Sequence, residues 1–201
     1  MSQFDRFDRS FLTKQDEEYK MLIEVTEEYL KQKKEKTPQN KSGKATEIVI
    51  REHLLKKGFN LTSNPNVKIL GSRIRNDLLL LKSNISINQK EYSPNEVETV
   101  IEIKNNAVAN QSKRIKQNFD ELSRLAPHLR FAVIILSERK GYTHEITDKK
   151  LGDKKYRSFT LVSRRIYPES GVYSKKGIFS LLDNNQMKKT GDWQKLISYL
   201  E

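Results

Sequence analysis

Two stretches of the sequence place charged side chains where a buried β-strand would otherwise be apolar. Asp77 stands directly before four leucines, Leu78–Leu81, and Glu102 and Lys104 lie near the end of the alternating segment 97–104. Side chains two residues apart project from the same face of a strand, so Glu102 and Lys104 share a face. An acid next to such apolar runs is costly to bury without a partner. If the two strands are neighbours, Asp77 and Glu102 form a pair of carboxylates with a lysine beside them.

Such a pair is suited to metal-assisted hydrolysis. Two close carboxylates repel each other and therefore favour a cation between them. A small set of oxygen ligands suits Mg²⁺, which keeps several waters and accepts phosphate oxygens. The ion polarises a phosphodiester and acidifies a bound water, while Lys104 would stabilise charge in the transition state or orient that water. The alternative is structural: a salt-bridged sheet edge in which Lys104 pairs with Glu102 or Glu98. The triplet Glu138-Arg139-Lys140 has the same spacing as Glu102-Ile103-Lys104, so this spacing is not specific to a metal site. Spacing alone therefore does not decide between a metal site and a salt-bridged sheet edge.

The elements that must position these residues can be read along the chain. Helix formers dominate 13–36, the polar run 31–42 contains Pro38 and has the character of a linker, and a second helix over 44–57 ends at Gly58. We therefore expect an N-terminal helical arm and linker over 1–42, with the arm either docked on the domain or part of it. We expect residues 43–201 to form one domain, with a basic extension after 137.

The remaining elements predict an α/β fold with a mixed central β-sheet flanked by helices. We expect strands over 67–70, 74–81, 97–104, 131–136 and 158–167, and helices over 110–126 and 193–200. The order from 44 to 136 is α-β-β-β-α-β.

This order, combined with Asn76-Asp77 and Glu102-Ile103-Lys104, resembles the PD-(D/E)xK nuclease superfamily and its restriction-endonuclease-like core. Asn76 stands where the family name has proline. The resemblance implies that Asp77, Glu102 and the carbonyl of Ile103 hold Mg²⁺, for which Mn²⁺ is expected to substitute. It also implies that Lys104 is the catalytic lysine and that Glu47, on the first core helix, is a helper carboxylate.

The helix acid is less sharply defined than the strand residues. Glu47 fits the spacing to Gly58, but it would also pair with Arg51 in an ordinary i,i+4 ion pair. Glu52 lies nearer the centre of the apolar face drawn through Ala45, Ile48, Val49 and Leu55. We favour Glu47 and retain Glu52 as the rival.

The net charge of +12 and the pI of about 9.7 indicate a polyanionic partner. The predicted helix after Lys104 carries Lys113, Arg114, Lys116 and Gln117 opposite its apolar stripe, where they would contact phosphates. The stretch 139–176 interleaves basic residues with Tyr142, Tyr156 and Tyr167 and would embrace DNA. The alternatives are a solvated helix face and a charge that serves solubility or acidic protein partners.

Several classes are excluded or disfavoured. The chain has no cysteine, so it has no disulfides, thiolate zinc site or cysteine nucleophile. Its apolar runs are too short for a membrane span, and its first residues do not resemble a secretory signal, so we expect a cytoplasmic protein. The expected function is Mg²⁺-dependent cleavage of double-stranded DNA, most simply by a type II restriction enzyme acting as a homodimer. The alternatives are a nuclease subunit of repair, recombination or transposition machinery, and a non-catalytic DNA-binding protein.

Overall fold

The structure, a computed structural model, describes residues 12–34, 41–62, 66–106, 111–139, 155–164 and 187–201. The α-helices in these ranges are α1 (Glu17–Lys34), α2 (Lys41–Lys56), α3 (Gln111–Leu125) and α4 (Asp192–Leu200). The strands are β1 (Val67–Ile69), β2 (Arg75–Asn76), β3 (Leu78–Leu81), β4 (Glu91–Tyr92), β5 (Val97–Asn106), β6 (Arg130–Arg139), β7 (Tyr156–Arg164) and β8 (Met187–Lys189). No helix among the described residues has the length and apolar character that crossing a bilayer requires.

A five-stranded sheet in the order β3-β5-β6-β7-β8 forms the centre of the protein. Strands β5, β6 and β7 run parallel, whereas β3 and β8 are antiparallel to their neighbours at the two edges. The predicted mixed central sheet is therefore confirmed. The parallel strands are buried on both faces, which explains the continuous apolar run Phe131–Leu136 in the middle strand.

Three helices cover one face of this sheet. Helices α1, α2 and α4 pack there against every second side chain of the strands. This core includes Leu22, Leu54, Leu78, Ile101, Ile103, Ile134, Leu161 and Trp193. Helix α1 is thus buried in the same core as α2. The domain boundary at residue 42 stays a prediction.

The opposite face is covered by α3 and by a small three-stranded sheet in the order β2-β1-β4. Their core includes Val67, Leu79, Val100, Ile115, Phe119, Leu122, Phe131 and Tyr156. The rings of Phe119, Phe131 and Tyr156 pack together with centroids 4.7 to 5.5 Å apart. Tyr156 is therefore buried, and its hydroxyl donates to Asp120, so the predicted role of Tyr156 in a DNA-embracing groove is wrong.

Three predicted elements differ from the structure. The segment 74–81 is two strands, because the chain bends at Asp77 and passes from the small sheet into the central one. The segment 67–70 also pairs in the small sheet rather than the central one. Leu125 has the helical spacing of Ile115, Phe119 and Leu122, which predicts one buried stripe on α3, but it is 41% exposed, and the next residue, Ala126, is buried instead.

Candidate active site

The bend at Asp77 sets two carboxylates side by side. Leu78 pairs with Ile101 in the antiparallel β3–β5 ladder, so the next position places Asp77 beside Glu102. Leu78 and Ile101 point toward α2, and alternation therefore sends Asp77 and Glu102 to the face covered by α3. The backbone N–H of Ile103 donates to Oδ2 of Asp77 at 2.7 Å, which holds the Asp77 side chain against β5.

Lys104 lies between the two acids. Its Nζ donates to Oε1 of Glu102 at 2.5 Å and to the carbonyl of Ile103 at 3.1 Å, and it lies 3.4 Å from Oδ2 of Asp77. All three charged side chains are mostly buried, with 15 to 22% of each exposed. Lys104 therefore contacts the same three residues that the family resemblance implies for the metal.

The charges of this cluster act strongly on one another. Burial disfavours the ammonium of Lys104, but the negative charges of Glu102 and Asp77 outweigh it and raise the pKa of Lys104. Burial, followed by repulsion from Asp77, raises the pKa of Glu102, which Lys104 offsets only in part. The site thus holds more negative charge than one lysine neutralises, and a further cation would be stabilised there.

Glu47 approaches this cluster from α2. Burial and then the charge of Asp77 raise the pKa of Glu47 to about 7, with a smaller contribution from Glu102 and with Lys104 and Lys44 acting in the opposite direction. The alternative ion pair with Arg51 is not formed, since the Arg51 Nε donates to the carbonyl of Thr62 at 3.0 Å. The structure therefore brings Glu47 together with the strand acids.

Glu52, the rival acid, is exposed on α2. The buried face of α2 consists of Ala45, Thr46, Val49, Ile50, His53 and Leu54. This face is rotated around the helix axis by roughly a third of a turn from the apolar face that the sequence predicts. The shift arises because two polar residues, Thr46 and His53, are buried with partners. Glu47 and Glu52 border this face on opposite sides, and the Glu47 border is the one next to the site.

Sequence reasoning missed a contact that joins the two elements of the site. The buried hydroxyl of Thr46 lies 3.3 Å from Oδ1 of Asn105, which links the residue before Glu47 to the residue after Lys104. The signal was weak: a polar residue directly follows Lys104 in a strand, and a threonine occurs in a helix. This contact fixes α2 against β5 at the site.

The oxygens present are compatible with a divalent metal ion. Asp77 and Glu102 each use one carboxylate oxygen in the contacts above, which leaves Oδ1 of Asp77 and Oε2 of Glu102 without a protein partner among the described residues. No three acidic or imidazole side chains in the described ranges converge closely enough to hold an ion by themselves. Two carboxylates and a carbonyl are a sparse set of hard ligands, which fits Mg²⁺ because that ion keeps several waters.

The basic residues predicted on the second core helix lie at the start of α3. Lys113, Arg114 and Gln117 are exposed, and the charge of Arg114 reaches Glu102, where it favours the ionised carboxylate. Lys116 instead forms an i,i+4 ion pair with Asp120 at 2.7 Å. The first turn of α3 therefore borders the acid pair, and Lys116 is partly engaged elsewhere.

Other predicted features lie outside the described residues. Most of the basic stretch 139–176 falls within 140–154 and 165–186, including Tyr142 and Tyr167. The backbone of Glu138 and Arg139 belongs to β6, and Lys140 is not described.

No family model matches the chain, and no curated protein matches it. The solved structures that are similar to it include two of NucC. The cAAA-bound form of NucC from P. aeruginosa ATCC27853 is 14% identical, with a TM-score of 0.52 over 95% of this chain and 92% of that chain. The cAAA-bound form of NucC from E. coli MS115-1 is 15% identical, with a TM-score of 0.49 over 94% of this chain and 100% of that chain. The first likeness, together with the topology, confirms the predicted fold class: a mixed central sheet flanked by helices, as in NucC.

Proposed function

We propose that this protein is a Mg²⁺-dependent endonuclease that hydrolyses phosphodiester bonds of double-stranded DNA. The observation that carries the proposal is the convergence of Asp77, Glu102 and the carbonyl of Ile103 around Nζ of Lys104, at the junction of β3 and β5. These residues come from β5 and from the turn into β3, two strands of the central sheet between α2 and α3, and the PD-(D/E)xK resemblance implies their roles. The fold that the chain shares with NucC supports this architecture, whereas the proposed chemistry is inferred from the site residues.

Each residue has a distinct part in this proposal. Asp77, Glu102 and the Ile103 carbonyl would hold the metal, and Mn²⁺ would substitute for Mg²⁺. The metal supplies charge neutralisation and a water of lowered pKa. Lys104 would exchange its present contact with Ile103 for one with the scissile phosphate, where an ammonium stabilises developing charge. Glu47, whose pKa is raised to about 7, is suited to exchange a proton with a water near neutral pH.

More specifically, we propose that this endonuclease is a type II restriction enzyme that acts in the cytoplasm. It rests on the single nuclease-like fold and the basic character of the chain, which has a net charge of +12. Cutting both strands requires two active sites, and a homodimer supplies them most simply. A nuclease subunit of repair, recombination or transposition machinery would use the same site with a different partner.

One observation favours a second candidate, a non-catalytic DNA-binding protein. Lys104 already satisfies one oxygen of Glu102 and the Ile103 carbonyl, so the cluster could serve as a structural ion pair within the sheet. A buried pair of this kind contributes to specificity of packing more than to stability.

Incubation of supercoiled plasmid with the protein separates the candidates. The nuclease proposal expects nicked or linear DNA with Mg²⁺ and none with EDTA, and Asp77→Asn should abolish cleavage. Asp120→Asn is the matched control, because it removes an ion-paired carboxylate from α3 outside the acid cluster. Intact plasmid at every Mg²⁺ and Mn²⁺ concentration, with retained DNA binding, would select the non-catalytic protein. Discrete fragments rather than a smear would support the restriction assignment.

A further inference from the structure

Two cations face each other on the small sheet. In the antiparallel pairing of β1 with β2, Lys68 lies directly opposite Arg75. Residues in this relationship have their Cβ atoms about 4.5–5.5 Å apart, and two like charges there destabilise the pairing. Val67 and Asn76, the adjacent pair, are buried, so alternation sends Lys68 and Arg75 to the solvent side of the small sheet.

Among the described residues, no acid forms an ion pair with either of these two cations. In the described parts of the chain, neither the Lys68 side chain nor the Arg75 side chain forms a hydrogen bond or an ion pair. Glu91 lies beside Lys68 on β4, but no ion pair joins them. The segment 66–76 contains Lys68, Arg73 and Arg75 and no acidic residue, and the side chains of Arg73 and Arg75 are both exposed. The arrangement is stable only at an electrostatic cost that an external anion would relieve.

The position of this pair ties it to the site. The small sheet and α3 cover the same face of the central sheet, and that is the face to which Asp77 and Glu102 point. Arg75 precedes Asp77 by two residues, a distance of about 6–7 Å along an extended chain. The charge of Arg114 at the start of α3 acts on Glu102. An exposed arginine of the small sheet is therefore close to Asp77 along the chain, and an exposed arginine of α3 acts on Glu102.

We propose that Lys68 and Arg75, with Arg73 beside them, form a second contact surface for the DNA phosphate backbone, which we call the hairpin surface. This proposal rests on the proposed function, since it assigns the substrate of that same site. The first turn of α3 and the hairpin surface would then bind phosphates from two separate elements. The acid pair lies close to both. A phosphate bound between Lys68 and Arg75 converts their repulsion into two favourable contacts.

Binding of a 30-base-pair duplex in EDTA tests the hairpin surface without cleavage. The double variant Lys68→Gln/Arg75→Gln should bind at least about fivefold more weakly than the wild type near physiological salt. The slope of log affinity against log salt should become shallower by between about 1 and 2, because each lost phosphate contact removes about 0.9 from the slope. The melting temperature should not fall, since the change removes a like-charge pair.

The matched control is Lys20→Gln/Lys56→Gln, which removes the same charge from exposed positions of α1 and α2, on the other face of the sheet. If the two double variants bind alike, the hairpin surface is refuted while the nuclease proposal stands on wild-type cleavage. If the wild type binds the duplex without cleaving plasmid in Mg²⁺, the nuclease proposal fails and the hairpin surface is judged by the binding comparison. A wild type that binds no duplex overturns both.

Discussion

The backbone N–H of Ile103 donates a 2.7 Å hydrogen bond to Oδ2 of Asp77, so this acid belongs to the β3–β5 joint as well as to the proposed metal site. The two roles can be separated by substitution, because an asparagine carbonyl accepts the same hydrogen bond without the charge.

Asp77→Asn and Asp77→Ala should therefore differ in stability and agree in activity. Alanine leaves the Ile103 N–H without its acceptor, which costs about 1 kcal/mol, whereas asparagine keeps the bond and the melting temperature. Both variants lose a carboxylate of the proposed metal site and should lose Mg²⁺-dependent cleavage. Urea unfolding and a plasmid assay measure the two effects. An asparagine variant that cleaves normally would assign Asp77 a structural role only.

Lys104→Met should separate binding from chemistry. Methionine keeps an apolar stem of similar length, so strand packing survives, and removal of the ammonium leaves the oxygens of Glu102 and Ile103 open to a metal ion. We expect metal and DNA to bind at least as well as in the wild type, while the single-turnover cleavage rate falls by orders of magnitude.

The comparison for this variant is Lys140→Met, which alters the lysine of the rival triplet after Glu138. Loss of cleavage in Lys140→Met with normal cleavage in Lys104→Met would assign the active site to the triplet Glu138-Arg139-Lys140 instead.

Metal-free protein should become less stable as the pH rises through the range from about 4.5 to about 7. Glu47 has its pKa raised to about 7 by burial and by Asp77, so in this range the folded state retains a proton that the unfolded chain has released. Stability is therefore lost as pH rises. After allowance for the partial exposure of Glu47, the effect amounts to about 1–2 kcal/mol.

Urea unfolding in EDTA at pH 5 and pH 8 measures this change, and Glu47→Gln should reduce it. If Glu47→Gln has the same pH dependence of stability as the wild type, the acid pair does not raise the pKa of Glu47.

Neutralising the first turn of α3 should weaken DNA binding through Lys113 and Arg114. The variant Lys113→Gln/Arg114→Gln should lower the salt slope by between about 1 and 2. Lys116→Gln should change the slope less, because Lys116 is paired with Asp120 at 2.7 Å. Filter binding over a salt series gives the slopes. Equal effects of all three positions would show that the Asp120 pair opens in the complex.

His53 joins three helices and should be required for stability. Its Nδ1 lies 3.2 Å from Oε1 of Glu17 and its Nε2 lies 2.8 Å from Oε2 of Glu24, so the ring bridges two carboxylates of α1. Glu17 also accepts a 2.9 Å hydrogen bond from Nε1 of Trp193. His53→Gln should destabilise the protein by about 2 kcal/mol or more, because it unpairs groups around a buried ring.

The same variant should alter the fluorescence of Trp193, the single tryptophan of the chain. Lys57→Gln, which removes a half-exposed partner of Glu17, is the control and should cost less than about 1 kcal/mol. Equal losses for the two variants would contradict a special role for His53.

The strand acids were predictable from sequence because strand alternation is a strict rule. Asp77 interrupts an apolar context, and the spacing of Glu102 and Lys104 fixes their common face whichever strands are neighbours. The helix acid was harder, because the buried stripe of α2 contains Thr46 and His53, whose burial depends on partners distant in sequence: Asn105 for one, Glu17 and Glu24 for the other.

The small sheet was not predictable from local pattern. Strands β2 and β4 have two residues each, too few to show alternation, and β1 pairs in parallel with β4 across more than twenty residues of chain. For the same reason the opposition of Lys68 and Arg75 was invisible in the sequence, since register is a property of the pairing and not of either strand alone.

The hydrogen bond from Trp193 to Glu17 joins residues that are 176 positions apart. At a synthesis rate of about 5–20 residues per second, α1 leaves the ribosome roughly 10–35 s before the helix that completes its packing. Helix α2, which carries Glu47, packs against both α1 and β5 and so lacks part of its packing during that interval. The nascent chain therefore passes through most of its synthesis without the contact between α1 and α4, and the packing around α2 is complete only when residue 193 has joined the fold.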